Sequence, residues 1–435
     1  MKKGMQVVAV CSVLLLGSTA CGGSAAKTDS GPAADEQTAQ KRQPVSLVLY
    51  LAGGALTDEE FQSYFAAPVQ KKFPHITMTL VRNAKGTAPA DMIASGAPMD
   101  IVYTSQGGWQ PLLDLRIPEP LDEYVRTSKL PLDAFDPIAM QWLRDTIGTP
   151  GQLQGLPFSL NGSALFYNKD IFDKFGVGYP KDRMLWDEVL QLGARVARTE
   201  NGLTYKPLFT GSLDQFAGQL VPSYTDPATD RPLFETDIWR KAAQYYKAIS
   251  DLPGNRTGNV NDFFQAKSLA MYAGVSIYSI GQFQTQYASG EKMSWDLVSY
   301  PNFPESKGKG MALDVHSILL SSTGKHKEQA FEVMNYVLGE ENQLAASRNG
   351  RISALQAKAL KDQFGQNLPF LQGKNIPALF VNASTPRNQG KYYGIVSPLI
   401  GPASNKLVSG EEDVNTMLRN LNQAASRAVQ EEKSK

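Results

Sequence analysis

Cysteine is almost missing from this sequence. Among 435 residues only Cys11 and Cys21 occur, so the body from residue 44 onward has no disulfide, no thiol nucleophile and no cysteine metal site. Histidine is nearly as scarce, with only His75, His316 and His326. Asp314 and His316 together make two ligands, too few for a zinc centre, and so few histidines argue against a catalytic histidine cluster. Neither sign of charge is in excess: 43 Lys and Arg stand against 42 Asp and Glu, a net charge of +1. That balance gives no electrostatic case for nucleic acid, which normally demands a basic face. No G-x-S-x-G and no P-loop is present. Ser322 and Lys325 fit S-x-x-K but lack the K-T-G and S-D-N companions, and they precede a helix that Ser would cap. A pair of hydrolytic carboxylates is not legible in sequence because their separation is spatial. Asp187, Glu188, Glu411 and Glu412 read more simply as acids at helix starts.

What is present begins with a secretory signal over residues 1–20. Lys2 and Lys3 lead an apolar stretch over 5–16, then Gly17, Ser18, Thr19 and Ala20 run into Cys21. The arrangement looks like a bacterial lipobox, with Ser18 where Leu is usual, and predicts that the Cys21 thiol is acylated. Residues 21–43 then supply that cysteine and a small, polar segment that cannot bury enough surface to order itself, hence a flexible tether. Apolar residues make up 42% and charged residues 20%, which is the composition of a folded body. Its length exceeds what one core supports, so two lobes are expected.

The apolar run VSLVLYL over 45–51 predicts a strand buried on both faces, followed by Gly53 and Gly54 in a tight loop. Thr57 and Glu60 form a capping box that opens a helix, which Pro68 should kink or split. Ile76, Met78 and Leu80 alternate as a second strand; a short helix over 90–94 and a third strand over 100–103 follow. This is a doubly wound α/β pattern, in which ligands sit beyond the carboxyl ends of strands. Gly53, Gly54, Ser105, Gln106 and Trp109 are thereby placed at a cleft. Further along, 158–167 reads as strand, 168–175 as helix stopped by Gly176, and 186–196 as helix. Residues 201–232 read as loops, 236–249 and 261–267 as helices, 269–273 as strand and 325–338 as an amphipathic helix. A second capping box, Ser409 with Glu412, is expected to open the last helix.

The stretch GLPFSLNGSALFYNKDIFDKFGV, followed by Trp186-Asp187-Glu188, resembles the extracellular solute-binding proteins of the maltose-binding type. Four more segments resemble that family in order: VQKKFPHITMTLV, IASGAPMDIVYTS, DFFQAKSLAMYAG, and KHKEQAFEVMNYVL with its downstream NGRISA. The chain departs from the pattern at Leu185, where a Thr cap is common, and at Ser276, where an aromatic is common, with Tyr278 two residues on. The resemblance implies a two-lobed periplasmic-binding-protein-like α/β fold of type II, its lobes joined by three hinge crossings. These would lie near 159–162, near 300–304 and after 351–354. The N-terminal lobe is then expected to hold 44–159 and 304–352, and the C-terminal lobe 160–303 and 353–435.

The resemblance further implies a receptor of an ABC importer, lipid-anchored on the extracytoplasmic face of the cell membrane. Such a receptor captures a mono- or oligosaccharide by hinge closure and passes it to the importer's membrane subunits. A monomer is expected, with no catalysis, no cofactor and no metal. The residues expected to touch ligand are Gly53, Gly54, Ser105, Gln106 and Asn161, with Tyr278, Asp314, His316 and Arg351 from later segments. Amide, carboxylate and guanidinium groups suit sugar hydroxyls, and an aromatic face suits the apolar side of a ring. The alternatives are a lipid-anchored glycan hydrolase, a sensory partner of a membrane kinase, or a receptor for a polyamine or ferric ion. Tyr392-Tyr393 resembles the adjacent tyrosines of related iron-binding proteins.

Overall fold

The computed structural model describes residues 43–435, apart from 146, 148, 150, 221–222, 292 and 387–389. The expected signal segment, Cys21 and the tether through residue 42 lie outside the described residues.

The chain enters as β1 (Val45–Leu51), an apolar strand whose residues from Leu47 onward are buried. The expected box opens α1 (Asp58–Phe61): Glu60 N–H donates to Thr57 Oγ1 at 3.1 Å, and Thr57 N–H donates to the Glu60 carboxylate at 2.9 Å. Pro68 has no N–H for the Tyr64 carbonyl four residues earlier. The helix absorbs the defect in a π-helical turn over Gln62–Ala66 before α2 (Ala67–Lys72). Asn342 Nδ2 gives the Tyr64 carbonyl a donor at 3.0 Å from a helix far along the chain.

β2 (Ile76–Arg82) and β3 (Ile101–Ser105) both lie parallel to β1. β4 (Leu156–Leu160) belongs to the same sheet, whereas β5 (Ser163–Asn168) belongs to another. The expected single strand over 158–167 is therefore two strands in two sheets, divided at Asn161-Gly162. A Cβ on Gly162 would lie 2.6 Å from the Ile352 side chain, so only glycine passes there without a shift.

In β5, Ala164 and Phe166 face one core with Phe283 and Trp295, and Leu165 and Tyr167 face another with Phe172 and Trp186. Burial on both faces is what its unbroken apolar run requires. Asn168 caps α3 (Lys169–Phe175), accepting from Asp170 N–H at 3.0 Å, and Gly176 ends it with φ +61°. α4 (Trp186–Val196) starts at Leu185 without a capping hydroxyl; only the Glu188 carboxylate reaches back, to Leu185 N–H at 2.7 Å.

The expected loops over 201–232 are overturned in part. β6 (Arg198–Glu200) pairs with β7 (Leu203–Phe209), which joins the second sheet, and a short helix over Leu213–Ala217 follows. Lys206 and Pro207 disguised the strand. Lys206 is neutralised by Asp262 at 2.8 Å, a partner invisible in local sequence. β8 (Leu269–Val275) leads into α5 (Ser276–Ala288), and β9 (Trp295–Ser299) closes the second sheet, of order β6-β7-β8-β5-β9. Phe283 of α5 stacks on Trp295 with centroids 3.5 Å apart, fixing the helix to this sheet.

β10 (Lys309–Ala312) still keeps company with the second body: Met311 packs in its core, and Leu313 is the first residue in the other. The second crossing therefore lies at 312–314, later than the expected 300–304, because residues 300–309 are held by Gln219 and Asn302 through the Pro301 and Lys309 carbonyls. β11 (Val315–Leu320) returns to the first sheet, antiparallel to β3 and β4, and β12 (Ile352–Ser353) edges it, giving the order β12-β4-β11-β3-β1-β2. The chain leaves that body beyond Leu355 and packs Phe364 and Leu368 into the second core, which Ile352 already touches. β13 (Ala383–Thr385) pairs with β10.

Two helices finish the chain. α6 (Ile400–Ser409) ends at Gly410 with φ +82°, and α7 (Val414–Lys433) is capped by Asp413, which accepts from Asn415 and Thr416 N–H at 2.9 and 3.2 Å. The expected Ser409–Glu412 box is thus corrected: Ser409 closes α6, donating to the Lys406 carbonyl, and Gly410 ends that helix before a new one can start. Among the described residues no helix is long and apolar enough to cross a membrane.

Candidate functional site

The strand ends define where the two bodies meet. β1 and β3 stop at Leu51 and Ser105, β11 and β5 begin at Val315 and Ser163, and all three passages of chain run through this level. A cavity of about 770 Å³ opens there. Ala55, Ser63 and Tyr64 form one wall with Asn349, Gly350 and Arg351, and Ile277, Gly281, Gln284, Thr285 and Ala288 of α5 form the facing wall. Among the described residues its charged lining groups are Glu59, Glu60 and Arg351, and the last two are paired.

Arg351 is 3% exposed and fully committed. Its Nε and Nη2 grip the two Glu60 oxygens at 2.6 and 2.7 Å, and Nη2 also donates to the Ala55 carbonyl at 2.7 Å. Glu60 thus does two things at once, closing the capping box and holding the arginine. Burial alone would raise its pKa, but the hydrogen bonds and charge of Arg351, with Thr57, outweigh burial and hold it below the usual carboxylate range.

His316 stands behind this pair, 4% exposed. Tyr103 OH lies 2.8 Å from its Nδ1 and Arg351 Nη1 lies 3.5 Å from the same atom. Arginine can only donate, so Nδ1 is the acceptor and the ring proton is on Nε2. Burial pushes its pKa down to about 4, with Arg351 adding to the shift and Asp314 opposing it. A Cβ on Gly54, which has φ +88°, would sit 3.1 Å from the Ser105 side chain and 3.5 Å from the His316 ring. Gly53, Gly54, Ser105, His316 and Arg351 are therefore brought together.

Asn161 and Asp314 form a second group. Asn161 Nδ2 donates to Asp314 Oδ2 at 2.7 Å, its N–H donates to the Asp314 carbonyl at 2.9 Å, and its Oδ1 accepts from Ile277 N–H at 3.1 Å. One asparagine thereby ties the first crossing to the second and to the start of α5. Ser276 adds to the knot: its Oγ accepts from Gly162 N–H at 3.0 Å.

The remaining expected residues stand apart. Gln106 is 4% exposed, and neither of its side-chain amide atoms has a hydrogen-bond partner among the described residues. Tyr278 is 39% exposed and packs edge-on against Phe264, beside the cavity wall rather than on it. Trp109 is buried against Trp142. Tyr392 is 2% exposed in the core beneath α6 and α7, with its hydroxyl 3.4 Å from Asp230. Ser322 Oγ donates to the Arg116 carbonyl. Sequence reasoning missed Glu60 as a site residue because its cap role already explained it; the missed Ser276 carried no local signal.

Two α/β bodies joined by three passages, with a largely uncharged cavity between them, define a two-lobed binding protein. The chain belongs to the bacterial extracellular solute-binding proteins, whose family profile matches residues 54–344. Its fold is similar to that of a sugar transporter of Rhizobium etli crystallised in an open conformation (TM-score 0.71, 17% identity, covering 88% of this chain and 99% of that one). It is also similar to an ABC substrate-binding protein of Listeria monocytogenes in complex with cycloalternan (0.67, 17%, 89% and 99%). The sugar-binding protein MalE of Xanthomonas citri is another such structure (0.67, 17%, 89% and 98%).

Proposed function

We propose that this chain is the extracytoplasmic receptor of an ABC importer, capturing a mono- or oligosaccharide between its lobes and passing it to the importer's membrane subunits. The carrying observation is the cavity of about 770 Å³ whose walls come from different bodies and whose buried charges cancel. A guest touching both walls favours the closed state and shifts the population toward it. Hydroxyls and amides at Ser63, Gln284, Thr285, Asn349 and Asn367 offer a neutral solute donors and acceptors without imposing charge. The cycloalternan complex and the sugar-binding protein named above support the same ligand class.

In this reading Gly53, Gly54 and Ser105 face the ligand from the N-terminal lobe, with Gln106 buried behind them and Tyr278 beside the C-terminal wall. Arg351 and His316 shape the wall, and Asn161 and Asp314 act at the hinge. Cys21 carries the acyl chains, residues 22–43 form the leash, and the protein works as a monomer on the outer face of the cell membrane. No hydrolysis is assigned. Glu60 is held below the usual carboxylate range, the opposite of what a general acid needs. Thermal unfolding against a sugar panel tests this. One sugar should stabilise by RT ln(1 + [L]/Kd), about 2.7 kcal/mol at a hundredfold excess over Kd, and be recovered intact; turnover of that sugar would refute the receptor reading.

A further inference from the structure

The receptor reading leaves open whether the guest is one sugar or a chain of them. The cavity follows α5 along nearly its whole length, from Ile277 to Ser289. At 1.5 Å per residue that wall is about 18 Å long, far more than one pyranose ring occupies. The face it presents is regular: Ile277, Ile280, Gly281, Gln284, Thr285 and Ala288 recur at helical spacing. Ile280 and Phe283 root the helix in the second core, while Gly281, Gln284, Thr285 and Ala288 remain exposed toward the cavity.

Gly281 is the unexplained residue in this wall. It lies inside the helix, where glycine is the poorest former after proline. Neither backbone nor packing requires it: its φ is not positive, and a Cβ there would meet nothing within 4 Å. By contrast, Gly162 and Gly350 are hemmed in by side chains. A glycine facing open space on the wall of a cavity keeps that space free for something absent from the wall itself.

Resting on the receptor reading, we propose that the ligand is a linear, uncharged oligosaccharide laid along α5, and that Gly281 and Ala288 set how many sugar units it has. The chain would start near Asn161 and Ile277, where the lobes are tied, and extend one helical turn to Gly281 and about three turns to Ala288. Wall groups of hydroxyl and amide type would meet successive rings, and the lack of unpaired charge beyond Glu59 disfavours acidic sugars.

The test is calorimetric titration of the purified protein with linear α-1,4-gluco- and β-1,4-manno-oligosaccharides of one to four units. For wild type, affinity should climb with chain length, by about tenfold or about 1.4 kcal/mol from the shortest to the longest binder. Gly281→Leu should flatten that climb after the first units, and Ala288→Leu only at its far end. Gly281→Ala should raise Tm, which confirms that the glycine is not held for folding, and the Ala288→Leu ladder keeps the test open if Gly281→Leu unfolds. A wild-type ladder flat from the monosaccharide upward, or unchanged slopes in both leucine variants, overturns the extended groove and leaves the receptor standing. Absence of binding to every member of both series overturns the groove; the sugar reading falls only if no sugar of the thermal panel stabilises the protein either.

Discussion

Replacing Arg351 by methionine is the sharpest perturbation of the cleft wall. The Arg351 side chain is 4% exposed and that of Glu60 20%, so this ion pair is shielded from solvent. Arg351→Met keeps the aliphatic stem but strips the Glu60 carboxylate and the Ala55 carbonyl of their guanidinium donors, leaving Glu60 only the Thr57 N–H. Breaking a buried pair from one side costs about 3–5 kcal/mol, mostly the penalty of the stranded charge. For a lobe of this size that corresponds to a fall in Tm on the order of 10 °C.

Adding Glu60→Gln removes the stranded charge, so the double variant should be less destabilised than the sum of the singles. The pH dependence has a definite sign. The folded pKa of Glu60 is depressed, so its contribution is present above the unfolded carboxylate pKa and is lost as pH falls through the folded value. The gap between wild type and Arg351→Met should therefore narrow below about pH 4. Urea unfolding at several pH values measures all three effects. A loss below 1 kcal/mol for Arg351→Met at pH 7, or strict additivity in the double variant, refutes the assignment of the pair as buried and interdependent.

His316 should make the wild type acid-sensitive over a different window. Its folded pKa of about 4 against an ordinary 6.5 means that stability is complete above pH 6.5 and declines as pH falls toward 4. His316→Gln, which keeps an acceptor for Tyr103, should flatten that slope in pH-dependent denaturation curves; an unchanged slope contradicts it. Asn161→Ala strands the Asp314 carboxylate and the Ile277 N–H, and should lower unfolding free energy by about 1–3 kcal/mol in urea. Asp413→Ala should cost about 1 kcal/mol in the same assay while Ser409→Ala stays within a few tenths, the reverse of what a Ser409 cap would give.

Local chemistry was legible where the cause lay within a few residues. The Thr57–Glu60 box, the Gly176 stop and the apolar run of β1 were all readable because capping, positive φ and burial on both faces each leave a mark in place. β7 was not readable, since Lys206 is tolerated only because Asp262 lies beside it in space. The strand break at Asn161-Gly162 depends on Ile352, nearly two hundred residues away. Ser409 and Asp413 both suit a cap, and only Gly410 between them decides which helix each serves. In the site, the glycines and serine at strand ends followed from the α/β pattern, whereas the commitment of Arg351 to Glu60, and of Asn161 to Asp314, is a property of pairs distant in sequence.

Small-angle scattering of the purified protein with and without the sugar that stabilises it tests the central claim most directly. A receptor that shuts on its guest should show a smaller radius of gyration and a shorter maximum dimension at saturation, reversed when the sugar is dialysed away. Identical curves at a concentration where calorimetry shows full occupancy would contradict closure of two hinged lobes around the ligand.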